Sequence, residues 1–252
     1  MKKILTALTC TGLLAMTASA DIARVEMGAG FMQQSNDSEA SYTKSGADGS
    51  YLSDTDETST QPYVWAIIKH PIPIIPNFRL EYASFEDTGT ASGKFENFDI
   101  CGLNSATTFS ITEYDIIPYY NLLDNTGWIT IDVGLDIKIM DVSYEADAVS
   151  SFSGDKDSVS LAIPLAYARG RVEIPATNIG LEADLKYVTY NDSTIYDARA
   201  KIDYTFDMFP VVQPAFEIGY RVHKIKVDDS TFGDLKMDLD FSGVYAGAML
   251  RF

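Results

Sequence analysis

Apolar and polar residues alternate one by one along most of this chain, and helical spacing of apolar residues is hard to find. From Trp128 to Ile139, the residues Ile129, Ile131, Val133, Leu135, Ile137 and Ile139 take one side. Thr130, Asp132, Gly134, Asp136 and Lys138 take the other. Tyr196, Ala198, Ala200, Ile202, Tyr204 and Phe206 repeat the pattern against Asp197, Arg199, Lys201, Asp203 and Thr205. So do Ile179, Leu181, Ala183, Leu185 and Tyr187 against Glu182, Asp184 and Lys186. Successive side chains of a strand face opposite ways, so each segment predicts a strand with one apolar and one charged face.

About ten such segments can be marked: 22–33, 62–70, 78–87, 106–122, 128–141, 157–171, 179–190, 195–206, 214–227 and 236–252. Connections near 71–77, 123–127, 172–178 and 207–213 are short. Those near 34–61, 88–105, 142–156 and 228–235 are longer and rich in Ser, Asp, Thr and Gly, while 191–194 is short. Short turns at one end and long loops at the other are the asymmetry of an outer-membrane barrel, whose tilted strands need about nine to eleven residues to cross. An even count places both termini on the periplasmic side. The apolar phase slips near Thr112-Glu113 and again near Ser242-Gly243, which reads as two bulges or as strands leaving the membrane band. Residues 94–101 could form a short hairpin within a loop.

A soluble sandwich or lipocalin also alternates, with its apolar face inside. Aromatic placement and the last residue favour the membrane. Tyr63, Phe78, Tyr119, Tyr120, Trp128, Tyr167, Tyr187, Tyr190, Tyr196, Phe206 and Phe209 gather near strand ends, where headgroup girdles form. The final strand carries Val244, Ala246, Ala248, Leu250 and Phe252 at alternate positions, resembling the signal by which the barrel-assembly machinery recognises its clients. The expected fold is all-β, a closed antiparallel up-and-down transmembrane β-barrel of about ten strands, with eight as the alternative.

Residues 1–20 read as a signal peptide: Lys2 and Lys3, an apolar run from Ile4 to Thr17, then Ala18-Ser19-Ala20 before a cut. Cys10 lacks the small preceding residue of a lipoprotein signal, because Thr9 stands there. Residues 21–252 then form the barrel domain, and Cys101 is left without a partner for an intramolecular disulfide. Losing Lys2 and Lys3 moves the formal charge from −17 to −19, which argues against a nucleic-acid partner. The expected location is the outer membrane of a Gram-negative bacterium, in contact with its lipid and lipopolysaccharide.

The stretch Thr107 to Asp141, TTFSITEYDIIPYYNLLDN followed by WITIDVGLDIKIMD, resembles the small outer-membrane barrels of the OMP_w_GlyGly family. The start at Asp21 and the closing Met249-Leu250-Arg251-Phe252 are similar as well. The resemblance implies a monomeric barrel and carries no catalytic residues.

If the apolar faces meet lipid, the opposite faces fill the lumen. Their charges are Arg24, Arg79, Lys138, Lys186, Arg199, Lys201 and Arg221 against Glu26, Glu81, Asp132, Asp136, Glu182, Asp184, Asp197, Asp203 and Glu217. Such near-balance suggests a salt-bridge network. Eight strands enclose a lumen that side chains just fill, so a ten-stranded interior is expected to be plugged, or at most a narrow pore. No catalytic constellation stands out. His70 and His223 lie toward opposite ends, no serine is paired with a base, and Asp228-Asp229 would point to opposite faces. The acidic clusters Asp54, Asp56, Glu57 and Asp141, Glu145, Asp147, Asp155, Asp157 lack calcium-loop spacing, and Lys44, Lys94 and Lys156 are the few loop cations. No cofactor or metal is expected. The sequence therefore predicts a structural or narrow-conductance barrel without enzymatic activity. The alternative is an adhesin-like surface-binding barrel, or one binding divalent cations and lipopolysaccharide, acting through its long loops.

Overall fold

The computed structural model describes residues 24–44, 47–54, 58–72, 74–95, 98–146, 156–209, 211–228 and 235–252. The expected signal peptide lies outside them, as do Asp56, Glu57, Asp147, Asp155 and Asp229. Eleven strands follow: β1 Arg24–Lys44, β2 Ala47–Ser53, β3 Thr58–Lys69, β4 Asn77–Phe95, β5 Phe98–Thr126, β6 Ile129–Ala146, β7 Lys156–Glu173, β8 Ile179–Tyr190, β9 Ser193–Thr205, β10 Gln213–Val227 and β11 Leu235–Arg251. From β3 onward each strand pairs antiparallel with the next. β1 pairs with β11 from Glu26↔Arg251 to Tyr42↔Leu235 and closes the sheet.

β2 and β3 run one after the other along the same edge of β1, from Lys44↔Ala47 to Glu39↔Leu52 and then from Ser35↔Thr58 to Arg24↔Lys69. They are two halves of one stave, so the barrel has ten staves. The eight-stranded alternative is excluded.

The ladders run beyond the segments marked from sequence. Much of 34–61 and 88–105 is paired strand: β1 continues to Lys44, and β4 and β5 meet at Phe95↔Phe98. Of the segment 94–101, the described residues are thus the far end of the β4–β5 ladder, at Lys94↔Asp99 and Phe95↔Phe98. Polar composition misleads here because a strand above the membrane turns its outer face to water. Ser, Thr and Asp there mark solvent, with pairing retained.

The same change of surroundings explains the two phase slips. On β5, Tyr114 and Ile116 face out while Glu113 and Asp115 are buried inside; one step higher, Ile111 is buried and Thr112 faces out. On β11, Val244 is exposed and Tyr245 buried; higher up, Leu239 and Phe241 are buried. β10 passes from buried Glu217 and Arg221 to buried Ile225 and Val227. The β4–β5 register is continuous from Asn77↔Tyr119 to Ala91↔Ser105, and the β1–β11 register is continuous throughout. Neither slip is a bulge. Both mark the level at which lipid gives way to water and the two faces exchange polarity. From Val244 to Phe252, nine residues at about 3.3 Å each and a tilt of about 40° span about 23 Å, the height of an outer-membrane apolar band.

Three of the supposed girdle aromatics point inward. Tyr63, Tyr119 and Tyr167 are buried, each on an odd-numbered inward position of its strand, whereas Tyr120, Trp128, Tyr187, Tyr190 and Phe209 are exposed. Trp65 is buried too, and Gly28 across the ladder makes room for it: a Cβ there would meet the indole at 2.6 Å. Between β8 and β9, Asn191 and Asp192 both take positive φ, as a two-residue hairpin turn of matching twist requires.

The face inversion yields a position-dependent outcome. Leu135→Arg, on the outer face within the band, is expected to cost about 2–4 kcal/mol, and Thr112→Arg, just above it, less than about 1 kcal/mol. Denaturant titration of the barrel folded into lipid vesicles measures both; equal costs would contradict the boundary.

Candidate functional site

The barrel interior at membrane level is a continuous ion-pair network. Arg24, Glu26, Arg79, Glu81, Asp132, Asp136, Lys138, Glu182, Asp184, Lys186, Asp197, Arg199, Lys201, Asp203, Glu217 and Arg221 all occupy inward-facing positions. Arg24 is at the lower rim, its side chain 34 % exposed. Glu113, Asp115, Arg169, Arg171, Glu173 and Arg251 join them. Glu113 and Asp115 escape sequence reading because they stand at the phase slip. Arg169 and Arg171 escape because their strand faces lipid with Ala166, Ala168 and Gly170, small residues that give weak alternation. At membrane level the described lumen thus holds ten cationic and twelve acidic side chains, enough for nearly complete mutual compensation.

Near the lower rim, Arg251 reaches Asp203 at 2.8 Å, and Arg171 reaches Asp203 at 2.6 Å and Glu182 at 3.2 Å. Arg169 bridges Glu182 at 2.7 Å and Asp132 at 2.6 Å. Higher up, Arg199 joins Glu81 at 2.6 Å to Asp184 at 2.7 Å, and Arg79 pairs with Glu81. Glu217 accepts hydrogen bonds from Tyr63 at 2.8 Å, Trp65 Nε1 at 2.9 Å and Lys201 at 2.8 Å, with Lys201 Nζ 4.2 Å from the indole centre. Lys186 holds Glu81 at 2.5 Å, Asp115, and Asp197 at 3.2 Å. Charges in such a dry interior persist only when paired this completely.

Asp136 is the exception. It is fully buried and neither carboxylate oxygen has a hydrogen-bond partner among the described residues. Its pairing partner on β7 is Leu165, also fully buried, so no donor stands opposite.

At the top of the network, His223 Nε2 bonds Glu113 at 2.8 Å, and Nδ1 lies 3.2 Å from the Tyr196 carbonyl. Both ring nitrogens are thus engaged by oxygens of the protein. Glu113, Asp197 and His223 lie close enough to share a metal. Yet Lys138 at 2.6 Å from Glu113 and Arg221 at 2.6 Å from Asp197 already supply the positive charge. His70 sits in the β3–β4 turn, bonded to Pro76 and receiving the Ile72 N–H, far along the barrel from His223. Asp228 lies at the end of β10, its N–H bonded to Ser193.

Above the network the interior turns apolar. Phe85 packs on Phe241 at 5.1 Å and on His223 at 4.9 Å between ring centres, and Ile111, Met140, Ile195, Ile225, Val227 and Leu239 complete a buried core. On the outside, Val244, Ala246, Ala248, Leu250 and Phe252 are all exposed on the lipid-facing side.

An even-numbered closed ladder, apolar outside and charged within, defines an outer-membrane β-barrel. The solved structures it resembles are of that class. The outer membrane protease OmpT of Escherichia coli superposes with a TM-score of 0.54 over 91 % of this chain and 97 % of its own, at 8 % identity. OprG of Pseudomonas aeruginosa gives 0.38 at 12 % identity over 92 % and 97 %, and the translocator domain of the Neisseria meningitidis autotransporter NalP gives 0.37 at 12 % over 100 % and 97 %. Identities this low speak to the fold alone. No family model matches the sequence, and no curated protein is similar to it in sequence.

Lys186→Met takes one cation from each of three buried carboxylates, Glu81, Asp115 and Asp197, and is expected to cost about 3–5 kcal/mol. Asp136→Leu removes a carboxylate that nothing holds and is expected to leave stability unchanged or raised. Heat-modifiable migration and denaturant midpoints of both variants check this contrast.

Proposed function

We propose that this protein is a non-conducting structural barrel of the Gram-negative outer membrane, without enzymatic activity. The observation that carries this reading is the double filling of the lumen. Ion-paired side chains occupy membrane level, and an apolar core occupies the storey above. A cavity beside Trp65, Arg79, Glu81, Lys201 and Glu217 measures ≈ 20 Å³, room for about one water. The ring nitrogens of His223, engaged by Glu113 and the Tyr196 carbonyl, support the non-enzymatic part.

In this reading the short-turn end, where both termini emerge, faces the periplasm, and the long ladders project outward past the lipopolysaccharide. The exposed residues Val244, Ala246, Ala248, Leu250 and Phe252 serve first the assembly machinery and then the lipid. The barrel works as a single copy. The resemblance of residues 107–141 to the OMP_w_GlyGly barrels bears on the fold and leaves the role open.

Refolded barrel inserted into planar bilayers is expected to give no steady unitary current across a range of voltages and salt concentrations. Reproducible steps of constant conductance would overturn the proposal.

A further inference from the structure

One wall of the apolar upper storey is polar. Asn36 and Ser38 on β1, Tyr51 and Ser53 on β2 and Asp87 on β4 are all buried there, with Asp87 1 % exposed. β2 brings them together, because it pairs with β1 on one edge and with β4 on the other. Asp87 stands opposite Phe109, above the level at which the faces exchange polarity.

Ser53 Oγ donates to Asp87 Oδ1 at 2.8 Å. Asp87 Oδ2 has no hydrogen-bond partner, and no lysine or arginine pairs with this carboxylate among the described residues. Asn36 donates Nδ2 to the Glu86 carbonyl at 2.7 Å, which fixes its amide and leaves Oδ1 unpartnered. The Ser38 and Tyr51 hydroxyls have no partner at full hydrogen-bond geometry either, and both, with the Asn36 amide, lie near enough to Asp87 to stabilise its charge. The side chains of Ser53, Asn36, Ser38 and Tyr51 therefore surround a buried carboxylate with which no lysine or arginine pairs among the described residues. At membrane level every buried carboxylate except Asp136 is met by Lys or Arg.

We propose that Asp87 Oδ2, Asn36 Oδ1, Ser38 Oγ and the Tyr51 hydroxyl form a site for a hard metal cation of the calcium type. The donor set is oxygen only, a carboxylate, an amide carbonyl and two hydroxyls, which is the chemistry hard cations select. It offers neither sulfur nor imidazole to a softer metal. One carboxylate among neutral oxygens sets weak binding, on the scale of about 10⁻⁴–10⁻³ M found for extracellular calcium modules. The backbone beside the site is shaped for it too. Ladder pairing of β4 with β3 ends at Ala83 and with β2 begins at Gly89, and between them Asn36 and Ser59 side chains serve the Glu86 carbonyl.

Burial also pushes the Asp87 carboxyl above its ordinary range, since removal from water disfavours the charge. A proton is therefore the rival occupant, and the test must separate the two. The full barrel, refolded in detergent and stripped with a chelator, is titrated with calcium while its melting temperature is followed. Terbium luminescence excited through tyrosine reports occupancy in parallel. Calcium is expected to raise the melting temperature saturably. Asp87→Asn should abolish that response while keeping heat-modifiable migration, and Tyr51→Phe should weaken it several-fold. An equal response in Asp87→Asn would place calcium on other acidic residues and overturn the proposal. So would an unresponsive wild type, with Asp87→Asn more stable at neutral pH, because the carboxyl would then be held by a proton.

Discussion

Everything in this molecule follows from a closed wall whose outside changes solvent partway up. A strand can only choose which side chains point in and which point out. Within lipid the apolar ones must point out, which sends charge into the lumen. Above lipid the outward face must be polar, which returns Ile, Phe and Leu to the inside. The barrel therefore has two interiors built by one backbone: ion pairs such as Lys186 with Glu81 and Asp197, then rings such as Phe85 on Phe241. Asp197, Arg221 and His223 with Glu113 form the seam between them.

Much of this was written in the alternation itself. The ten staves, the outward residues of β6, β8 and β9, and most of the lumen charges could be read from period two alone. What misled was context. Thr112-Glu113 and Ser242-Gly243 look like errors of phase, because periodicity records which residues share a face but not what that face touches. Tyr63, Tyr119 and Tyr167 look like interfacial aromatics until their parity places them inside. Arg169 and Arg171 hide because the lipid-facing side of β7 is small. The wall around Asp87 was illegible for a different reason. Its oxygens come from three strands, and the spacing that brings them together is set by the broken stave β2–β3, not by any local motif.

The likeness to OmpT at 8 % identity marks the limit of what fold can say. Ten antiparallel staves with tall extensions are a container, and the contents are individual. Here Glu217 accepts from three donors and both nitrogens of His223 meet oxygens, while Asp136 accepts no hydrogen bond among the described residues.

The inverted upper storey bears on the order in which the molecule is built. Its outer face carries Lys224, Asp238 and Asp240, and its inner face carries Ile225, Leu239 and Phe241. While the hairpin tips traverse the bilayer, neither face is at home: the charges lie against acyl chains, and the apolar residues have no partners yet. That core can close only once the tips have reached water on the far side. Its closure then works as a latch, since withdrawing the paired strands β10 and β11 would first require pulling Phe241 and Leu239 out of a packed interior and Lys224 back through lipid.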